Sequence, residues 1–131
     1  YPDIKSEHLL LTGQNRHQLI ETLNPQLMPE DLRALQEAVK RIHVSPALLD
    51  YCLAVIHFTR SSSEFHSGLS PRAGLALLTA AKAWAMIDRR DAVIPEDLQA
   101  VLPAVAGHRL RSGNTNSEAI VAPILTKVPV S

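Results

Sequence analysis

Gly68-Leu69-Ser70-Pro71-Arg72-Ala73-Gly74-Leu75-Ala76-Leu77-Leu78 decides how the rest of this chain is read. Ser70 is a helix N-cap: its hydroxyl can accept one of the orphan amides of the first turn. Pro71 suits the first helical position, where its fixed φ is already helical and its missing N–H costs nothing. From Ala73 to Ile87 the run is rich in alanine and leucine and free of proline, so a long helix is expected there. Arg72 stands out. It falls in the first turn, where the helix dipole is positive and a cation is disfavoured by about a few tenths of a kcal/mol. Two readings stand at this point: a solvated arginine, or an anion site in which a guanidinium joins a helix N-terminus to hold phosphate.

Outward from this helix the punctuation is helical throughout. Upstream, Ile4–Leu11 and Arg16–Leu23 are short helical candidates, stopped by Gly13 and by Asn24-Pro25. Pro29-Glu30-Asp31 opens a better helix, with Leu32, Leu35, Val39 and Ile42 as its apolar stripe. Ser45-Pro46 repeats the cap-plus-proline start, and Leu49, Cys52, Leu53 and Ile56 give core spacing on a helix running to about Thr59 or Arg60. Tyr51, Ala54, Val55 and Phe58 make that helix apolar on more than one side, so it should be central or face a neighbouring domain. Cys52 reads as a small buried hydrophobe. Arg60 to Leu69 reads as a loop, with His66 exposed in it.

Downstream, Trp84 is assigned to core or interface packing. Asp88-Arg89-Arg90-Asp91 is a charged break, its arginines read as a solvated turn. Pro95-Glu96-Asp97-Leu98 opens another helix behind Ile94, a weak cap. Pro103 should end or kink that helix, and Gly107 suits its C-cap. Residues 111–116 form a polar loop. A last short helix is expected from Ser117 to Lys127, with Pro123 in its interior.

The ordered strings resemble the lid domain of MoxR-type AAA+ ATPases, the family related to methanol dehydrogenase regulatory proteins. The likeness is carried by Gly68-Leu69-Ser70-Pro71-Arg72-Ala73 and by Arg90-Asp91-Ala92-Val93-Ile94-Pro95-Glu96-Asp97-Leu98-Gln99-Ala100-Val101. It continues in Ala104-Val105-Ala106-Gly107-His108-Arg109-Leu110 and, upstream, in Asp31-Leu32 through Val39 and Ile42-His43-Val44-Ser45. The resemblance implies an all-α fold, a small bundle of about five to seven helices. It divides the chain into a lid over residues 1–110 and a C-terminal loop and short helix over 111–131, packing on the lid or trailing it.

It also implies that Arg72 is the family's sensor 2 residue, reading the terminal phosphate of a nucleotide, with Ser70 and Pro71 shaping the helix end that faces it. The intact parent would then use ATP and Mg2+, with neither held tightly by this chain alone. Its partners would be its own phosphate-binding-loop core, neighbouring subunits of a cytoplasmic ring, often a hexamer, and proteins with von Willebrand factor A domains. The work implied is chaperone-like assembly or activation of those partners.

Composition narrows the alternatives. Of 131 residues, 13 are basic and 13 acidic, giving a formal charge of zero, which argues against nucleic acid or an anionic membrane as partner. A helix-turn-helix reading fails on the same ground. No apolar run approaches the length needed to span a bilayer. Tyr1-Pro2-Asp3 has no signal-peptide character; the missing initiator methionine fits a fragment or a processed chain. No G-x-x-x-x-G-K-[ST] loop is present, so the chain alone should not hydrolyse ATP. The six histidines show no metal-ligand spacing, and no Cys–His pair shares a clean helical face. The competing function is a stand-alone helical interaction module, favoured by the many-sided apolarity of 45–59.

Overall fold

The computed structural model describes residues 1–13, 20–110 and 116–130. Six helices have both ends defined: α1 (Ile4–Thr12), α2 (Pro29–Arg41), α3 (Pro46–Ser61), α4 (Pro71–Ile87), α5 (Pro95–Ala106) and α6 (Ser117–Lys127). Among the described residues the only strand-like pairing is a parallel bridge, His43 to Ala92. The all-α expectation is met. Half of the Arg16–Leu23 segment and most of the 111–116 loop lie outside the described residues.

The chain forms two compact units, Tyr1–Leu32 and Arg33–Ser131. In the first, Asp3 caps α1 by accepting from the Ser6 amide at 2.8 Å. No residue of α1 is buried. The division falls inside α2, whose start is fixed by Asp31 accepting from the Met28 amide at 3.0 Å.

The second unit holds the core. α3 runs one way, α4 returns beside it, and α5 and α6 complete the bundle; the α4–α5 interface is the most extensive. Buried aliphatics fill it, including Leu48, Val55, Leu69, Leu77, Leu98, Leu102, Leu110 and Ile124. Small residues let α4 lie close: Ala73, Ala81 and Ala85 are buried, and a Cβ on Gly74 would come within 2.5 Å of Ile56 Cδ1. Tyr51, 2% exposed, accepts from Gln99 Nε2 at 3.1 Å, so its hydroxyl is satisfied inside the core.

Several expectations need correction. The α3 core stripe is Leu48, Tyr51, Cys52, Val55, Ile56 and Thr59. Leu49 and Leu53, assigned to it from spacing, are 41% and 52% exposed. The helix is apolar nearly all round, so periodicity alone does not set which face turns inward. Leu32 and Leu35 of α2 are likewise exposed, and Trp84 is 45% exposed, so of its two expected roles, core or interface packing, the core one does not hold. Pro103 lies within α5 without ending it: it forgoes one backbone bond, but Leu102 and Ala106 on either side are fully packed and hold the turn.

The charged break after α4 is an exposed turn at Asp88 and Arg89, as expected, but Arg90 is not merely solvated. Arg89 N–H donates to Met86 O at 3.0 Å and Arg90 N–H to Ala85 O at 2.9 Å. This is a Schellman closure in which Arg89, at φ 59°, holds the left-handed position that glycine usually fills. Arg89→Gly is therefore expected to stabilise the unit by about 0.5–1 kcal/mol, read as a higher midpoint in urea.

Arg90 turns inward and grips the next helix. Its Nη1 donates to Asp97 Oδ2 at 2.6 Å, and its Nη2 to Asp97 Oδ1 at 2.5 Å and Asp88 Oδ2 at 2.9 Å. Asp97 is 2% exposed. Its Oδ2 also accepts from the Ile94 amide at 2.9 Å, the half of a capping box that the third helical residue makes; Ile94 has no side-chain oxygen to make the other half. Alongside, His43 N–H donates to Asp91 O at 2.7 Å and Val93 N–H to His43 O at 3.0 Å. The chain segments leading into α3 and α5 are thus joined backbone to backbone.

α6 begins and ends where the sequence places it. Asn116 Oδ1 accepts from the Glu118 amide at 3.3 Å, and Ile120, Val121 and Ile124 are buried. Gly107 closes α5 in a right-handed conformation. Its lack of a side chain matters for approach: a Cβ there would lie 2.4 Å from Ser117 Cβ.

Candidate functional site

The first turn of α4 is built as its residues dictate. Ser70 Oγ accepts from the Ala73 amide at 3.2 Å, and Gly74 N–H donates to Ser70 O at 3.2 Å. Pro71 carries no N–H. Among the described residues this leaves the Arg72 amide as the uncommitted donor of the turn.

Arg72 is exposed, as are Ser70 and Pro71. The first turn has no acidic residue, and no described carboxylate pairs with the Arg72 guanidinium. A free guanidinium, a free amide and the positive pole of a 17-residue helix therefore share one edge. That donor set suits a phosphate group. It offers nothing to a metal ion, and among the described residues no group of three or more His, Cys, Asp or Glu is placed to hold one.

What sets this edge in place is the junction before it, which sequence reasoning missed. The loop after α3 doubles back so closely that a Cβ on Gly68 would lie 2.4 Å from Arg60 Cγ and 2.7 Å from Arg60 Cα. Leu69, 2% exposed, is then held on both sides. Its N–H donates to Thr59 Oγ1 at 3.0 Å, and its C=O accepts from Arg60 Nε at 2.8 Å. Only Gly68 hinted at this in the sequence.

Beside the α4 N-terminus runs an open groove of about 430 Å³ between α3 and α4, lined by Leu49, Leu53, His57, Pro71, Leu75 and Leu78 among others. Cys52 and His57 both reach it, but burial pushes the Cys52 thiol up to about 11. The thiolate is then a negligible species at neutral pH, and the groove has no activated nucleophile. His66 is exposed in the loop. No described helix is long and apolar enough to cross a membrane.

The family model for the AAA lid domain matches residues 57–124, just over half of the chain. The chain belongs to the AAA lid domain family, as the lid of a MoxR-like AAA+ ATPase. It is 34% identical over 138 aligned positions to the Bacillus subtilis protein YeaC, covering 99% of this chain and 43% of that one. To the chaperone MoxR1 of Mycobacterium tuberculosis it is 38% identical over 89 positions, 61% of this chain and 24% of that protein. A crystal structure from Cytophaga hutchinsonii, described as a candidate ATPase, shares the fold over 100% of this chain and 44% of its own. The TM-score is 0.70 and the identity 24%. The chain thus spans less than half the length of the relatives it matches.

Proposed function

We propose that this chain is the part of an AAA+ ATPase that closes over ATP held by a phosphate-binding-loop core elsewhere in the full-length polypeptide. In this reading Arg72 is the sensor 2 residue and contacts the terminal phosphate, with Ser70 and Pro71 setting the helix end that faces the nucleotide. The observation that carries the reading is the unpaired Arg72 guanidinium on a capped helix N-terminus that contains no acid. Helix formation alone would favour the opposite charge there. When bound, ATP with its Mg2+ supplies the cleavable phosphate. This chain's residues orient that phosphate and exclude water from one side of it.

The kinship with MoxR proteins, one of them named a chaperone, extends the proposal. The full-length protein acts as a ring, a hexamer as is common in that family, in the cytoplasm. It couples hydrolysis to the assembly or activation of partners, for which proteins with von Willebrand factor A domains are the first candidates. The test is ATP turnover by the full-length protein against Arg72→Ala, with helicity followed by circular dichroism. A large loss at retained helicity supports the reading. An unchanged rate returns Arg72 to the surface. It would then favour a second reading, a helical interaction module whose docking surface is the apolar groove along Leu49, Leu53 and Leu75.

A further inference from the structure

We propose that Thr59 and Arg60, in the last turn of α3, are positioning residues for Arg72, an inference that rests on the phosphate-sensing reading of that arginine. The two side chains satisfy the two backbone polar groups of one residue, Leu69: its N–H and its C=O. Thr59 Oγ1 donates its proton to Ile56 O at 2.7 Å, which leaves a lone pair for the Leu69 amide at 3.0 Å. The polarity of the hydroxyl is therefore fixed, and at 1% exposure no water can substitute for it. Arg60 Nε takes the Leu69 carbonyl at 2.8 Å. The planar guanidinium gives this bond a direction as well as a length.

Leu69 immediately precedes the cap residue Ser70, and Arg72 lies three residues beyond Leu69. Whatever fixes the Leu69 main chain fixes where the first turn of α4 begins and where its guanidinium is presented. Gly68 adds a steric stop, because the chain there runs directly against the Arg60 backbone. Neither Thr59 nor Arg60 needs to touch nucleotide for this role. A displacement of about 1 Å in a group that acts by orientation can cost on the order of 100-fold in rate.

The experiment uses the full-length protein carrying Thr59→Val, Thr59→Ser or Arg60→Ala, each with and without Arg72→Ala. The readouts are kcat and KM for ATP, together with amide hydrogen exchange across residues 68–74 in nucleotide-free protein. The nearly isosteric Thr59→Val is expected to speed exchange at Leu69 at least about tenfold. It should lower kcat about tenfold while KM moves by less than about threefold. Thr59→Ser restores both values, and Thr59→Val adds no further loss once Arg72 is alanine.

Arg60→Ala, at the edge of the unit, serves the same purpose should Thr59→Val fail to fold. Equal losses from Thr59→Val in both backgrounds, or faster exchange with unchanged kcat, would overturn the positioning role alone. Wild-type turnover in Arg72→Ala would instead remove the phosphate-sensing reading, and the positioning role with it.

Discussion

Arg72→Ala is expected to lower ATP turnover by the full-length protein on the order of 100-fold, equivalent to about 2.7 kcal/mol of transition-state stabilisation. The magnitude follows from what a fixed cation does at a transferring phosphoryl group: it meets charge that develops at the transition state and needs no reorganisation to do so. The fold should not suffer. The side chain is exposed and makes no contact that the helix depends on. Its removal also takes a positive charge from the positive end of α4, so thermal stability should hold or rise by about a few tenths of a kcal/mol. Arg72→Glu sharpens the test. An acid in the first turn favours the helix but repels phosphate, so stability and turnover should move in opposite directions. A variant series in which both fall together would mean that Arg72 serves the fold rather than the nucleotide.

Asp97→Ala is expected to cost the helical unit about 3 kcal/mol. The loss combines charge-assisted hydrogen bonds at a buried carboxylate with the cap bond to the Ile94 amide. For a unit of this size the corresponding fall in Tm is about 15 °C. The effect carries a pH signature. The Arg90 guanidinium, against the opposing pull of burial, holds the Asp97 carboxyl below its usual range, with help from the Ile94 amide. A carboxyl whose folded pKa is depressed lends stability that is fully present above its unfolded value, about 3.9. That contribution is lost as pH falls through the folded value. The gap between wild type and Asp97→Ala should therefore be constant from neutral pH down to about pH 5 and narrow below about pH 4. Urea midpoints of both proteins at pH 7 and pH 3 measure it, and a gap of equal size at both would show that the ion pair is not its source.

Local chemistry made the helix starts legible. Ser45-Pro46 and Ser70-Pro71 cap and open α3 and α4, and α6 spans the residues its short apolar run marks out despite Pro123. The inward face of α3 was not legible, because a helix with leucine, isoleucine and tyrosine on several sides presents more than one admissible stripe. Nor did the sequence show which of two adjacent arginines does work. Arg89 takes a conformation usually left to glycine, and that turn aims Arg90 at Asp97. A hint was available in the pairing of Ile94, which cannot cap, with an acid three residues on. At the candidate site, Ser70, Pro71 and Arg72 lie in the first turn of α4 as their spacing indicates. Thr59 and Arg60 escaped notice because their partner, Leu69, lies across a loop, and a hydrogen bond to main chain leaves no trace in residue type.

The backbone bridge between His43 and Ala92 has a mechanical meaning. It lies, with the Arg90–Asp97 grip, at one end of α4, while the Thr59–Arg60 clamp lies at the other. Seventeen residues at 1.5 Å each make α4 a strut of about 25 Å, built in at both ends rather than hinged at either. A push delivered at Arg72 is then not absorbed by bending at the helix termini. Under the proposed phosphate-sensing reading, a shift of about an ångström beside the phosphate would be passed along α4 to the elements fixed at its far end.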